Sequence, residues 1–229
     1  MRRRNLLVGI VAVELLCALA YTGLNQPSTA EKVVPDSTPP KLGRVELSQT
    51  AMLKDNEKLT VTVKGTPGAK CTLAIEGIAT VQPMNEAAPG EYTATYTVTE
   101  KDTQIHAHAT VTMEKGGKTI TATSSQTITI DGSAPTATNF APPPNGTTHD
   151  RRHTILAMFD DGQGTGINTK SIRLWVNEQD VTKDTKINAG QIEYKPKQDF
   201  KTDEVKVHLQ LADQAKNVTD YNWTFSIEK

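Results

Sequence analysis

Cysteine is nearly missing from this sequence of 229 residues, which contains only Cys17 and Cys71. Cys17 lies in an apolar N-terminal stretch, so Cys71 has no partner in the rest of the chain and an intrachain disulfide is excluded there. The alternation in CTLAI places Cys71 on one face with Leu73 and Ile75. This pattern predicts a buried thiol that acts as a small hydrophobic residue.

The sequence also lacks a basic excess and the usual catalytic motifs. Its 25 Lys and Arg stand against 26 Asp and Glu, a net charge of −1, so nothing favours nucleic acid as a partner. G-x-S-x-G, H-E-x-x-H and a Cys/His nucleophile pair are missing. EKGGKT, residues 114–119, resembles the end of a phosphate-binding loop, but Thr112 stands where the full motif needs its first glycine, and the stretch lies between two predicted strands. We therefore expect no enzyme activity, no catalytic residues and no cofactor.

The N-terminus has the pattern of an export signal or signal anchor over residues 1–24. Three arginines precede an apolar stretch, residues 6–24, that only Glu14 interrupts. That stretch is about long enough to span a bilayer as a single retained helix, which would make the membrane a partner. A small-x-small site instead allows cleavage after Ala20, which would give a secreted or periplasmic protein. In both cases the chain beyond Leu24 lies outside the cytoplasm, because the arginines stay inside.

Residues 25–41 carry four prolines and read as an extended spacer. Beyond it, apolar and polar residues alternate with a period of two, and no segment shows a helical apolar stripe. The alternation places Ile105 and Ile120 on buried faces. A turn-rich stretch, residues 131–150, divides the strands into two sets. The sequence thus predicts an all-β fold with two consecutive Ig-like β-sandwich domains, residues 42–132 and 133–229, after the N-terminal signal or anchor helix.

The second half has a recurring pattern of turn and strand residues, at Phe159–Ile167, Tyr194 with Pro196, Asp213–Asn217 and Trp223–Phe225. In these residues it resembles the bacterial Ig-like repeats of secreted and cell-surface proteins. The first half similarly resembles a related β-rich module. The resemblance implies a spacer, an adhesion module or a ligand-binding accessory, and it implies no catalysis.

Two positions depart from the pattern of these repeats. NEQD, residues 177–180, lacks the usual hairpin glycine, and Lys216 stands where D-x-x-G-N has glycine. Because a left-handed backbone costs a lysine about 1 kcal/mol or more, we expect the turn at Lys216 to differ from that of the family.

The stretch FDDGQGTGI allows two interpretations. Asp160, Asp161 and Asp213 could supply three carboxylates to a calcium ion if their strand ends lie together. Alternatively, the aspartates cap a strand end and the glycines turn the chain before Ile167 packs at the edge of the core. The spacing fits neither the D-x-[DN]-x-[DN]-G loop nor the G-G-x-G-x-D repeat, so we predict no metal site, and calcium binding at Asp160–Gly166 stays open.

Two other groups of residues are candidates for a site. His106 and His108 would project from the wet face of one strand as a two-ligand metal edge without a third ligand. Trp175 lies beside polar residues and is our candidate ligand-contact residue for a protein or carbohydrate partner, whereas Trp223 is expected in the core.

The function predicted from the sequence is therefore that of a non-catalytic protein of the bacterial cell envelope. Its Ig-like domains would act as binding, adhesion or spacer modules outside the cytoplasmic membrane. The alternative is a metal-dependent periplasmic enzyme or a metal-binding accessory protein.

Overall fold

The computed structural model describes residues 38–229. The expected leader, residues 1–24, and most of the expected spacer, residues 25–37, lie outside the described residues. Within the described range, no helix has the length and apolar character needed to cross a membrane. The range is all-β, as expected, apart from one 3-10 turn at Thr182–Asp184.

The first sandwich is built from ten strands. They are β1 Leu42–Leu47, β2 Lys58–Gly65, β3 Lys70–Ile75, β4 Val81–Pro83, β5 Asn85–Ala88, β6 Glu91–Thr97, β7 Thr103–Ala107, β8 Ala109–Lys115, β9 Lys118–Thr123 and β10 Ile128–Asp131. Buried and less buried side chains alternate in the long central strands β2, β3, β6 and β8. One sheet has the order β1-β2-β6-β5, the other has the order β4-β3-β8-β9, and β10 pairs with β7. If β1 is strand A, the two sheets read ABED and C′CFG, which is the order of an immunoglobulin sandwich.

The second sandwich has the same two four-stranded orders, with one strand added to the second sheet and no counterpart of the β10–β7 pair among residues 133–229. Its strands are β11 Thr136–Ala141, β12 Gly146–Thr148, β13 Ile155–Asp160, β14 Arg173–Val176, β15 Gln179–Asp180, β16 Lys186–Ile187, β17 Gln191–Tyr194, β18 Glu204–Ala212 and β19 Val218–Ile227. The sheets have the orders β11-β13-β17-β16 and β12-β19-β18-β14-β15. With β11 as strand A, these read ABED and A′GFCC′, where the short β12 pairs in parallel with the last strand, β19.

Each sandwich has its own hydrophobic core. The first core gathers buried residues between Val45 and Ile130, and the second gathers buried residues between Ala137 and Ile227. The period of two explains both, because successive side chains of a strand point to opposite faces of its sheet. Leu59, Val61 and Val63 of β2 are buried in this way.

The alternation fails at two positions where we expected buried isoleucines. Ile105 is exposed because the expected single strand breaks: β7 ends at Ala107, β8 starts at Ala109, and His106 has a φ of 56°. Ile120 is exposed because β9 lies at the edge of its sheet, where one face of the strand is left partly uncovered. Both predictions of burial were wrong because the alternation of residues does not show where a strand breaks or whether it lies at the edge of a sheet.

The backbone is left-handed in both turns at which this sequence departs from the pattern of the bacterial repeats, residues 177–180 and Lys216. Lys216 has a φ of 74°, so a lysine occupies the conformation that favours glycine. The hairpin between β14 and β15 places Asn177 and Glu178 at φ values of 48° and 68°, as its two-residue turn requires. Lys216 therefore takes the left-handed conformation at a cost of about 1 kcal/mol or more, and a difference from the turn of the repeats stays a prediction.

Candidate functional site

Three aspartates from different strand ends meet where the two sandwiches join. Asp131 is the last residue of β10 in the first sandwich, Asp161 directly follows β13, and Asp213 directly follows β18. One carboxylate oxygen of each lies within 4.8 Å of the others. Asp131 and Asp213 are fully buried and Asp161 is half-buried. We refer to Asp131, Asp161 and Asp213 as the three-aspartate cluster.

Two of these carboxylates are hydrogen-bonded through both oxygens. Asp131 accepts hydrogen bonds from the Ser133 hydroxyl at 3.2 Å and from the Thr165 backbone N–H at 2.6 Å. Asp213 accepts hydrogen bonds from the backbone and side-chain N–H groups of Asn217 at 2.8 and 2.6 Å. These donors fix the positions of the two carboxylates but are neutral, so they leave the negative charge in place.

The third carboxylate is only half satisfied. Oδ2 of Asp161 accepts a hydrogen bond from the Gly166 N–H at 2.6 Å, whereas Oδ1 is buried and has no hydrogen-bond partner. Since a buried polar atom without a partner costs about 1–3 kcal/mol, such atoms are rare in folded proteins. The orphaned Oδ1 indicates that the cluster is complete only with a further group.

The cluster has no basic partner within the described residues. None of the salt bridges between residues 38 and 229 involves Asp131, Asp161 or Asp213. Two like charges 4–5 Å apart repel by roughly 3–4 kcal/mol at the effective dielectric constant typical of proteins. Three ionised carboxylates in this place therefore need either a proton or a cation.

The pKa values of two members of the cluster, Asp161 and Asp213, are raised, chiefly by burial. Burial raises the pKa of Asp161 from 3.8 to about 6, the Gly166 N–H opposes the rise, and the neighbouring charges of Asp131, Asp213 and Asp160 add to it. Burial also raises the pKa of Asp213, against the hydrogen bonds from Asn217. At neutral pH the folded chain thus holds Asp161 ionised in surroundings that disfavour its charge.

A cation bound by oxygen fits this arrangement. Two oxygens bound to the same Ca²⁺ at about 2.4 Å are at most about 4.8 Å apart, and the three carboxylates fall within that limit. Gly164 keeps the space between two of them open. A β-carbon at Gly164 would lie 2.5 Å from Oδ2 of Asp161 and 2.8 Å from Oδ2 of Asp131.

The three aspartates of this cluster are not the three that the sequence suggested for a calcium site. Asp161 and Asp213 meet as that interpretation required, but Asp160 is the last residue of β13, is exposed and lies outside the cluster. The third carboxylate comes from Asp131 in the other sandwich, which the sequence reasoning missed. The feature of the sequence that could have pointed to Asp131 is the position of Asp131-Gly132, directly after the apolar strand TITI and at the domain boundary.

The histidines do not form a comparable group. The three-aspartate cluster is the one set of three or more His, Cys, Asp or Glu side chains between residues 38 and 229 that could share a metal ion. Nδ1 of His108 is hydrogen-bonded to the carbonyl of Ser124 at 3.0 Å, and His106 lies in the break between β7 and β8. The two-ligand edge predicted for His106 and His108 therefore gains no third ligand in this range.

Cys71 is buried, as its alternation with Leu73 and Ile75 predicted. Burial raises the pKa of its thiol to about 11, with a further contribution from the charge of Glu86. At neutral pH the residue is a protonated, unreactive thiol in the first core.

Trp175 lies on the outer face of the sheet β12-β19-β18-β14-β15. It is half-buried and stacks on His208, with 4.6 Å between ring centroids and 14° between ring planes. Nε2 of His208 is in turn 2.7 Å from Oδ1 of Asp220. Beside this pair runs an open groove of about 710 Å³, whose lining includes Lys206 and Asn222. One face of Trp175 is thus taken by His208, and ligand contact at Trp175 stays a prediction. Trp223 is buried in the second core, as expected.

Solved structures with tandem Ig domains align with this chain at low similarity. A titin fragment aligns over 84% of this chain and 100% of its own length, with 11% identity and a TM-score of 0.40. A three-Ig titin fragment aligns over 83% of this chain and 66% of its own length, with 12% identity and a TM-score of 0.46. The N-terminal Ig1-2 module of the Drosophila receptor protein tyrosine phosphatase DLAR aligns over 84% and 100%, with 12% identity and a TM-score of 0.30.

No protein-family model matches the chain, and no curated protein matches it. The strand order therefore carries the assignment of the class: the described residues form two all-β sandwiches of the immunoglobulin type.

Proposed function

We propose that this chain is a non-catalytic module of a bacterial cell envelope, in which two Ig-like domains act outside the cytoplasmic membrane as a spacer of fixed geometry that presents a binding surface. The observation that carries the spacer function is the junction between the sandwiches. A spacer is useful when its domains keep a defined relation, and that requires contacts beyond a covalent linker.

Hydrogen bonds cross the junction in both directions. Nδ2 of Asn217 in the second sandwich donates to the carbonyl of Asp131 at 2.7 Å, and Oδ1 of Asn217 accepts from the Asp55 N–H at 3.2 Å. Asn217 is 6% exposed, so these bonds are shielded from water. The Thr165 N–H adds its bond to the Asp131 carboxylate.

The linker itself, residues 132–135, is held from both sides. The Gly132 N–H donates to the carbonyl of Asp102 in the first sandwich at 2.8 Å, and the hydroxyl of Thr219 in the second donates to the carbonyl of Pro135 at 2.8 Å. A β-carbon at Gly132 would lie 1.9 Å from the carbonyl oxygen of Thr99, so the chain passes too closely there for a side chain. Such a linker supports a fixed junction rather than a flexible one.

The spacer function is tested by the distance between spin labels on the two sandwiches. Cysteines at Thr121 in β9 and Ser226 in β19, both exposed, would carry the labels in the full chain with Cys17→Ser, because the buried Cys71 thiol is not labelled. We expect one narrow distance distribution, which broadens in Asn217→Ala and stays narrow in the exposed control Asn222→Ala. A broad distribution in the parent protein would refute a fixed spacer.

The envelope location rests on the leader pattern of residues 1–24, which precede the described range. We expect a protease added to intact cells, or to spheroplasts if an outer membrane is present, to digest the two sandwiches. The N-terminal residue of the protein recovered from its host distinguishes a retained anchor from cleavage after Ala20. A protein that stays protected until the cytoplasmic membrane is broken would contradict this location.

A binding surface is favoured by the groove beside Trp175. Its lining combines an aromatic ring with polar and charged side chains, among them Lys206 and Asn222, a combination that suits a carbohydrate or peptide. Trp175→Phe keeps an aromatic ring, whereas Trp175→Ala removes it. We expect glycan-array or peptide-array binding by the parent protein to be largely kept in the first variant and lost in the second. Equal binding by all three proteins would show that the partner binds at another surface.

A further inference from the structure

We propose that the three-aspartate cluster binds one calcium ion and that the ion joins the two Ig-like domains. The proposal deepens the spacer function and rests on it for its biological meaning, but the ion site itself stands on the geometry of the cluster. The ligands come from both sandwiches: Asp131 from the first, and Asp161 with Asp213 from the second.

The first argument is that the cluster concentrates charge where water does not reach it. Asp131 and Asp213 have 0% exposure, and carboxylates buried to this extent normally have a cationic partner. Within residues 38–229 no lysine, arginine or histidine forms a salt bridge to either of them. A bound divalent cation supplies the missing positive charge.

The second argument is independent of charge and concerns a buried polar atom that has no hydrogen-bond partner. Oδ1 of Asp161 is buried without a hydrogen-bond donor, although Oδ2 of the same group has the Gly166 N–H. A proton on Asp161 would serve that carboxyl group alone. A cation contacts the orphaned oxygen and the other two carboxylates at once.

The third argument is that the backbone leaves room at this point. Gly164 lies against the carboxylates of Asp161 and Asp131, and a β-carbon there would lie 2.5 and 2.8 Å from their Oδ2 atoms. The turn at residues 161–166 thus approaches the cluster with bare backbone. Its N–H groups at Thr165 and Gly166 hold two of the carboxylates in place from outside.

The chemistry of the ligands selects the cation. All three ligand atoms are carboxylate oxygens, which favour a hard cation over zinc, whose protein ligands are mainly sulfur and nitrogen. Ca²⁺ tolerates irregular geometry at 2.3–2.6 Å, whereas Mg²⁺ requires a near-ideal octahedron at about 2.0–2.1 Å and keeps several waters. A site assembled from three loop and strand ends is more easily fitted to calcium. Extracellular modules with such sites bind Ca²⁺ with a Kd of about 10⁻⁴–10⁻³ M.

The proposal is tested on the full metal-free chain by calorimetric titration with CaCl₂ and by thermal unfolding. We expect one equivalent of calcium to bind. At a hundredfold excess over the Kd we expect Tm to rise by about 5–10 °C, since such an excess stabilises a domain of this size appreciably. MgCl₂ at the same concentration should raise Tm by less than half as much.

The decisive variants change charge and preserve shape. Asp161→Asn, Asp131→Asn and Asp213→Asn are each expected to weaken calcium binding at least tenfold and to abolish most of the rise in Tm. Asp160→Asn is the matched control, because Asp160 is the adjacent aspartate, is exposed and lies outside the cluster. In the metal-free state Asp161→Asn should melt at or above the temperature of the parent protein, which shows that the variant folds.

Several results would overturn the proposal. They are the absence of calcium binding by the parent protein at millimolar concentration, unchanged binding in Asp161→Asn, loss of binding in Asp160→Asn, and an equal response to magnesium. The spin-label distances separate this proposal from the spacer function. A narrow distribution without calcium binding would refute only the ion, and a broad distribution with calcium bound would refute only the spacer.

Discussion

Removing the charge of Asp161 should stabilise the metal-free protein at neutral pH, which is unusual for a buried polar residue. The folded structure raises the pKa of Asp161 from 3.8 to about 6, chiefly by burial. An acid with a higher pKa in the folded state holds its proton more tightly there, so ionising it disfavours folding. The contribution of the protonated group to stability is fully present below pH 3.8 and is lost as the pH rises through about 6.

The size of the expected stabilisation follows from the rise in the pKa of Asp161. One pKa unit corresponds to 1.36 kcal/mol, so a rise from 3.8 to about 6 disfavours the folded state by about 2–3 kcal/mol at pH 7. The lower value of this free-energy range allows for screening by solvent that reaches the half-buried side chain of Asp161. Asp161→Asn keeps an oxygen that can accept the hydrogen bond from Gly166 and carries no charge. It should therefore be more stable than the parent protein by about this amount at pH 7, without metal.

The assay is urea unfolding of both proteins, followed by fluorescence between pH 4 and pH 7 in the absence of divalent cations. We expect the difference in free energy of unfolding to shrink as the pH falls below about 6 and to be mostly lost at pH 4. Asp160→Asn, beside it on the chain, should show a much smaller trend, because the charge of Asp160 contributes least to the raised pKa of Asp161. A difference between Asp161→Asn and the parent protein that does not change with pH would refute the reasoning, because the ionisation of Asp161 would then not disfavour the folded state.

Three further outcomes are expected. Lys216→Gly should raise the free energy of unfolding by about 0.5–1 kcal/mol in thermal or urea unfolding, because the lysine has a φ of 74°; a lower stability would mean that the lysine side chain contributes more than its strain costs. Gly164→Ala should lower the free energy of unfolding by about 1–3 kcal/mol, since its β-carbon would crowd two carboxylates of the cluster; an unchanged value would show that the turn yields freely. Cys71 should resist a thiol reagent at pH 8 until the protein unfolds, because burial raises the pKa of the thiol to about 11; rapid labelling of the folded chain with Cys17→Ser would contradict its burial.

The sequence predicted the strands well because their signal is local. In β18, Val205, Val207, Leu209 and Leu211 face the core as the alternation indicates. The same rule failed at Ile105 and Ile120, because a period of two cannot tell a central strand from an edge or detect a residue with positive φ inside an apparent strand. Local pattern thus predicts which residues form strands, but not which neighbours cover them.

The candidate site was only partly predictable for a related reason. Asp161 and Asp213 belong to turns that the sequence singles out, and their meeting follows from the adjacency of strand ends in a sandwich. Asp131 belongs to the other sandwich and is joined to them only through the position of the junction. No spacing rule connects residues that far apart on the chain, so its role required the assembled fold.

The division of the three carboxylates between the sandwiches has a consequence for how such a protein can be rearranged. A second sandwich transplanted alone would carry Asp161 and Asp213 but lack Asp131, which ends the last strand of the first sandwich. The smallest fragment that can be moved with this site intact is therefore the linked pair, and proteolysis at residues 132–135 would divide the site between two products.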